Sequence, residues 1–205
     1  MKWTLKDIKK ETEHPFLNFY TLTYDVEKED GHHDYRYFMA SRHDVERLLV
    51  KTQDFVRPDG VLIPLYYEDP KTKEISIVLT TQFRPACGAY MTSVPAGLMD
   101  PDDTDVFLTA KREAEEEAGF RIDDLELLVT PSTTSSGLSD ETDAVVLARI
   151  VGSDSVSLEE FEDISSKLIP LKTVKEMLQH PEQFHFPLSV QLIILYLLER
   201  FKDRL

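Results

Sequence analysis

A mixed α/β fold is predicted from three features of the sequence. Asn18 to Glu27 and Tyr35 to Ser41 alternate apolar and polar residues, the period-2 pattern of half-buried strands. Val61 to Tyr67 and Ile75 to Phe83 are short runs rich in Val, Ile, Tyr and Thr, set around a turn at Asp69-Pro70. Leu188 to Phe201 is long enough for a helix, with apolar residues at Leu192, Ile193, Leu195, Tyr196 and Leu198. The first two strands are joined by a polar turn containing Asp30-Gly31. Ser41 to Asp44 reads as a capping-box variant opening a short helix through Leu49. Leu125 to Thr130 and Ala144 to Val151 are β-like, Ser157-x-x-Glu160 begins a helix, and Lys172 to His180 is helical. Gly152 to Ser157 is the best candidate for a variable loop. No element is assigned before Asn18, and no repeat or low-complexity linker interrupts the chain.

At 205 residues the chain can bury a sizeable core as one domain, with room for an N-terminal appendage. A formal net charge of −15 opposes binding to nucleic acid and to anionic membrane surfaces. It also opposes an anionic substrate, which would need metal and local arginines. One cysteine, Cys87, excludes an intramolecular disulfide framework and suits a reducing compartment, so a cytoplasmic protein is expected. Cys87 is read as an incidental thiol in preference to a nucleophile. Met1 to Asp7 has no apolar signal region, and Leu192 to Leu198 is far too short to span a bilayer. His32-His33-Asp34 has metal-ligand residue types, but a solvated hairpin turn is the better reading.

The segment from Arg112 to Phe120, Arg-Glu-Ala-Glu-Glu-Glu-Ala-Gly-Phe, carries the chemistry. On a helix turning about 100° per residue, Glu113, Glu116 and Glu117 share roughly a 100° arc. Phe107, Ala110, Ala114 and Ala118 fill the adjoining arc and can face a core, and Glu115 points elsewhere. Like charges three and four apart cost roughly 0.2–0.5 kcal/mol per pair. Gly119 ends the helix, so the glutamates lie where its dipole prefers cations. A divalent cation reverses both penalties, and hard carboxylate oxygens suit Mg²⁺. The helix alone leaves two readings open, a metal site and an exposed acidic face.

Upstream lies Pro95-Ala96-Gly97. Gly97 followed by Arg112-Glu113-x-x-Glu116-Glu117-x-Gly119 resembles the Nudix box, G-x5-E-x7-R-E-U-x-E-E-x-G-U, where U is bulky and apolar. The second half matches at every fixed position. In the first half Gly97 lies one residue too far from Arg112, and Thr104 falls where the box has its lone glutamate; Asp103 or Asp105 is expected to substitute through a bulge in Asp100 to Asp105. Gln82-Phe83-Arg84-Pro85, about a dozen residues before Pro95-Ala96-Gly97, resembles the ADP-ribose pyrophosphatase branch of the family. So does Pro131 to Glu141, with Ser136 in place of the branch's loop proline. Ser93 stands where the branch often has a glutamate.

The resemblance implies a Nudix αβα sandwich over residues 51–205 and an N-terminal β appendage over 1–50 that serves dimerisation. It implies Mg²⁺, with Mn²⁺ as a substitute, held by Glu113, Glu116, Glu117 and the Ala96 carbonyl. Arg112 orients a glutamate, and the general base is Glu141 or Glu116. Arg84, Ser136 and Gly137 contact substrate, with an exposed ion pair as the alternative for Arg84. Phe16 and Tyr37 stand where relatives stack aromatics on adenine, with ordinary strand packing as the alternative. The implied reaction is hydrolysis of a nucleoside diphosphate sugar, ADP-ribose to AMP and ribose 5-phosphate. The rivals are another sugar-nucleotide or dinucleotide pyrophosphatase, and a non-catalytic nucleotide-binding sensor.

Overall fold

A computed structural model describes residues 1–153 and 163–204. The chain forms two compact units. One comprises Met1–Arg57 with Pro131–Asp143, and the other the described residues of 58–130 and 144–205.

The first unit is an antiparallel meander of β1 (Lys2–Lys10), β2 (Asn18–Lys28) and β3 (Gly31–Ser41). β2 and β3 pair without interruption from Asn18↔Ser41 to Lys28↔Gly31, and Gly31 adopts a φ of 126° at the tight turn. Gly31 thus belongs to β3, four residues ahead of the expected strand start at Tyr35. Strand β1 escapes the sequence pattern for a physical reason. A bulge between Leu5 and Asp7 shifts its register against β2, so Trp3, Leu5 and Ile8 break the period of two, and most of the strand is exposed. The buried centre consists of Tyr20, Leu22, Met39 and Leu48.

The helix expected from Ser41 through Leu49 does not form. Ser41 ends β3, and its hydroxyl accepts the His43 N–H at 3.0 Å without capping anything. A 3₁₀ turn covers Val45–Arg47, Leu48 is extended and buried, and α1 is a single turn, Leu49–Thr52. Within the same unit Ser135 to Ser139 close a tight turn, and Ala40 N–H donates to the Leu138 carbonyl at 2.9 Å.

The second unit is built on an eight-stranded mixed sheet. The expected strand from Val61 to Tyr67 is two strands, β4 (Gly60–Leu62) and β5 (Leu65–Glu68). Pro64 lacks an N–H and cannot continue a ladder. The break lets β4 pair with β8 (Ala96–Leu98), while β5 pairs with β6 (Ile75–Arg84) and with β10 (Thr142–Ser153). β7 (Ala89–Ser93) forms a hairpin with β6, β9 (Phe120–Thr133) pairs with β10, and β11 (Ile164–Pro170) pairs with β6 on its other side.

Alternation along the central strands makes the layers. Ile75, Ile77 and Leu79 of β6, with Val145 and Leu147 of β10, pack in one cluster with residues of α3 (Leu171–Met177) and α4 (Leu188–Arg200). Val78, Val146, Ala148 and Ile150 pack in a second cluster with Ala110 and Ala114 of α2 (Val106–Glu116). Successive side chains of a strand point to opposite faces, so this is an αβα sandwich, as expected. Within α4 the buried face is Val190, Ile193, Ile194 and Leu197; Leu192, Leu195 and Tyr196 of the apolar run are exposed. The expected helix at Ser157-x-x-Glu160 and most of the loop expected from Gly152 to Ser157 lie outside the described residues.

Candidate active site

Helix α2 starts where Asp105 caps it. The Asp105 carboxylate accepts the N–H of Phe107 at 2.9 Å and of Leu108 at 3.1 Å, two amides that a helix start leaves without intrahelical partners. Asp105→Ala should lower stability by about 1 kcal/mol, seen as a lower urea midpoint; an unchanged midpoint would show that the cap contributes nothing.

Just before it, Asp100 and Asp103 close a turn. The Asp103 N–H donates to the Asp100 carbonyl at 3.0 Å, and the Asp100 N–H donates to Asp103 Oδ2 at 3.0 Å. This turn lies between Gly97 and Arg112, within the segment where a bulge was expected. It also delivers Asp103 to Arg112: Oδ2 accepts from Arg112 Nη2 at 3.2 Å and from the Thr109 hydroxyl at 2.9 Å. Of the two expected substitutes for the lone glutamate, Asp103 meets Arg112 and Asp105 caps the helix. Burial pushes the Asp103 carboxyl up, but the Asp100 amide, Thr109 and Arg112 outweigh it and hold it below the usual carboxylate range.

Arg112 gathers the acidic groups around itself. Nη1 donates to Glu113 Oε1 at 2.7 Å and to Glu116 Oε2 at 3.2 Å. Nη2 donates to the Leu98 carbonyl at 3.0 Å. Nε lies 3.3 Å from Asp100 Oδ2, an ion-pair contact outside hydrogen-bond geometry. Burial disfavours the charged guanidinium, but the hydrogen bond to Asp103 and the field of Glu113 hold its pKa above the ordinary arginine value.

Glu113 is buried, with 9% of its surface exposed, and lies directly over Gly97. A Cβ on Gly97 would sit 1.9 Å from Glu113 Oε1 and 2.6 Å from its Cγ. Glu117 is the residue at which α2 ends. Its Oε2 accepts the Ala96 N–H at 3.1 Å, and its carbonyl accepts the Ser166 hydroxyl of β11 at 2.9 Å. The chain then turns at Gly119, with φ of 68° and its N–H on the Glu115 carbonyl. Glu115 is exposed, as expected.

A cavity of about 350 Å³ opens beside this helix end. Thr80, Gln82 and Arg84 line it as alternate residues of β6, together with Ser93, Ala96 and Glu117. Cys87, in the turn after β6, also borders it. Arg84 therefore shares one cavity with Ala96 and Glu117.

The other sequence candidates belong to the first unit. Glu141 accepts from Arg42 Nε at 3.0 Å and from the Thr134 hydroxyl at 3.3 Å. Tyr37 donates its hydroxyl to the Gly137 carbonyl at 2.8 Å. Tyr37 and Ser136 border a cavity of about 540 Å³ together with Trp3, Tyr24 and Tyr35. Phe16 is 73% exposed, and its ring sits 6.0 Å from that of His14. His32 pairs with Asp25 and His33 with Asp30, so the two rings have separate partners.

Thr109, Asp100 and the Leu98 carbonyl were not anticipated as parts of the site. Thr109 alone left a signal, because it lies three residues before Arg112 on the same helix face.

The donor chemistry fits a hard divalent cation. Glu113, Glu116 and Glu117 offer only oxygen atoms, and the space that a Cβ on Gly97 would fill is kept for Glu113. Among the described residues no three such groups already converge; Arg112 draws Glu113 and Glu116 to itself, and Glu117 is bonded to the Ala96 N–H.

These features define an αβα sandwich with a carboxylate-bearing helix end beside an arginine-lined cavity. Residues 56–187 match the NUDIX domain, and the chain belongs to the Nudix family. It is 34% identical over 138 residues to Nudix hydrolase 14, chloroplastic, of Arabidopsis thaliana, covering 58% of this chain and 44% of that protein. The chain thus spans under half the length of this curated relative. The fold is shared with the crystal structure of an ADP compounds hydrolase, at a TM-score of 0.71 and 17% identity, over 100% of this chain and 98% of that one. Among the described residues no helix is long and apolar enough to cross a membrane.

Proposed function

We propose that this chain hydrolyses the diphosphate bond of a nucleoside diphosphate sugar in a Mg²⁺-dependent reaction, with ADP-ribose, cleaved to AMP and ribose 5-phosphate, as its best substrate. The observation that carries this reading is the cavity joining Arg84 to Ala96 and Glu117 at the end of the glutamate-rich helix. Its lining suits a diphosphate, with the Arg84 guanidinium on β6 to bind phosphoryl oxygens and the Glu117 carboxylate in the same lining. The kinship with Nudix hydrolase 14 and the fold shared with an ADP compounds hydrolase support the same reading.

Glu113, Glu116, Glu117 and the Ala96 carbonyl are the proposed ligands of Mg²⁺, or of Mn²⁺ in its place. When bound, the cation neutralises phosphoryl charge and makes water a better nucleophile. Arg84 holds the diphosphate, while Arg112 orients Glu113 and Glu116 from behind. Glu141 or Glu116 is the proposed general base, taking the proton of the attacking water as its oxygen joins phosphorus and the bridging P–O bond breaks. Ser136, Gly137, Phe16 and Tyr37 are proposed to contact the nucleoside and sugar. Residues 51–205 form the catalytic domain and 1–50 a dimerisation appendage, in a cytoplasmic homodimer.

A phosphate-release panel with Mg²⁺ tests the reading over ADP-ribose, other sugar nucleotides and dinucleotides. ADP-ribose should be turned over with the highest kcat/KM. A strong preference for a dinucleotide would overturn the substrate assignment. Tight ADP-ribose binding without hydrolysis under Mg²⁺ or Mn²⁺ would replace the enzyme by a sensor. Arg84→Ala should raise KM about tenfold, the scale of a lost charge-assisted hydrogen bond, and lower kcat less. An unchanged KM would remove Arg84 from the substrate site.

A further inference from the structure

The cavity beside the end of α2 carries polar side chains that lack partners. Gln82 of β6 and Ser93 of β7 are half-buried and line it together with Arg84. Among the described residues these three side chains have no hydrogen-bond or ion-pair partner. Their neighbours do: the Thr80 hydroxyl donates to the Val94 carbonyl at 3.5 Å, and Glu117 accepts the Ala96 N–H at 3.1 Å. Polar groups drawn out of bulk water are normally paired. A few convergent ones in a mostly apolar pocket are what orients a ligand.

Strand geometry places the three. Gln82 and Arg84 are alternate residues of β6, on one face and roughly 7 Å apart along the strand. Across the hairpin Gln82 pairs with Met91 and Thr80 with Ser93, so Ser93 is a diagonal neighbour of Gln82 on that face. Their chemistry differs. Arg84 only donates, which suits phosphoryl oxygens. The Gln82 amide and the Ser93 hydroxyl each donate and accept. An anion would set an acceptor against the Gln82 carbonyl oxygen, whereas a sugar hydroxyl matches both functions. Met91, Val94, Ile164 and Pro187 add apolar surface to the lining, suited to the C–H face of a sugar ring. Among the described residues no aromatic side chain lines this cavity, so it offers a nucleobase nothing to stack on.

We infer that Gln82 and Ser93 bind hydroxyl groups of an uncharged sugar attached to the diphosphate, so that this cavity takes the sugar end of the substrate and not its base. This rests on the diphosphate-sugar hydrolysis proposed above. Arg84 anchors the diphosphate, and Gln82, one step along the same strand, reads the sugar next to it. A substrate lacking that sugar gains nothing from either neutral group.

The test compares ADP-ribose hydrolysis with competitive inhibition by ADP, on the same full-length proteins with Mg²⁺. ADP keeps the base, its ribose and the diphosphate but lacks the second sugar. Gln82→Leu keeps the bulk of the side chain and removes both hydrogen-bonding functions. It should lower kcat/KM for ADP-ribose about tenfold, the scale of one hydrogen bond lost from a site that needs it, and leave the Ki of ADP within about twofold. Ser93→Ala should act in the same direction, by about threefold. A circular dichroism melt confirms that folded proteins are compared, and if Gln82→Leu does not fold, Ser93→Ala decides.

Unchanged kcat/KM for ADP-ribose overturns the inference and leaves the pyrophosphatase reading standing. A Ki for ADP raised by the same factor also overturns it, since the contacts are then to the nucleotide. A wild-type protein that does not hydrolyse ADP-ribose overturns the substrate reading itself, and this inference with it.

Discussion

Glu117→Gln should reduce turnover by roughly 10²-fold or more while leaving the fold intact. That is the scale on which the loss of one preorganised electrostatic group slows a reaction. Glu117 stands at the end of α2, with its carboxylate on the Ala96 N–H and facing the cavity that holds Arg84. Glutamine is nearly isosteric and its carbonyl oxygen can still accept the Ala96 N–H, so the strand-to-helix link survives. What disappears is a formal negative charge beside the proposed cation. Two stability effects also favour survival of the fold. Glu113 and Glu117 are four apart on one face, where like charges repel by roughly 0.2–0.5 kcal/mol. The helix dipole at a C-terminus disfavours anions. Metal-free Glu117→Gln should therefore melt at or slightly above the wild-type temperature, and Mg²⁺ should raise its melting temperature less than it raises that of the wild type. Near wild-type turnover at limiting Mg²⁺ would remove Glu117 from the catalytic centre. A collapse of the melting temperature would show that its role is structural.

Much of this architecture was legible because the side chains that build it repeat with the period of their element. The central strands β6 and β10 send alternate residues to the two core clusters, and that alternation is written in Ile75 to Phe83 and Ala144 to Val151. In α2, Ala110 and Ala114 mark the buried stripe, and Glu113, Glu116 and Glu117 follow by angle alone. The pattern failed where a local event breaks the period. The bulge in β1 hid a strand, Pro64 split another, and the Ser41 hydroxyl bonded to the backbone of His43 where a helix cap was expected.

The site was legible in its charges and less so in its neutral parts. Arg112 and its glutamates stand out because charge is costly without a purpose. The Leu98 carbonyl is unremarkable in sequence, and Thr109, although on the helix face of Arg112, takes its role only where the Asp100–Asp103 turn presents Asp103 to its hydroxyl. α4 shows the opposite failure. It is apolar almost all round, so hydrophobicity alone could not say that Ile194 and Leu197 are buried while Leu192 and Leu195 are exposed.

Gly97→Ala should impair function through one buried carboxylate while leaving the strand that carries the glycine in place. Gly97 has no left-handed backbone requirement, so alanine fits its strand conformation, and its β4 partner Val61 is unaffected by a small side chain. The obstacle is Glu113. The new Cβ would lie 1.9 Å from Oε1, 2.0 Å from Cδ and 2.6 Å from Cγ, far inside van der Waals contact. All three atoms belong to one flexible side chain, so the backbone need not move. The carboxylate does, and with it goes the 2.7 Å hydrogen bond from Arg112. Crowding of this kind costs about 1–3 kcal/mol, a tolerable loss for a domain of this size. The loss of turnover should be larger, on the order of 10²-fold, because a displaced Glu113 would leave the proposed cation without one of its proposed ligands, and misplacement by an ångström is enough to cost that much. Crystals of Gly97→Ala should show Glu113 in a new rotamer over an unchanged β8. The variant should bind Mn²⁺ weakly, and its kcat should fall while its melting temperature drops by several degrees and the protein stays folded. Full turnover in a protein whose Glu113 has moved would show that Glu113 is dispensable for the reaction.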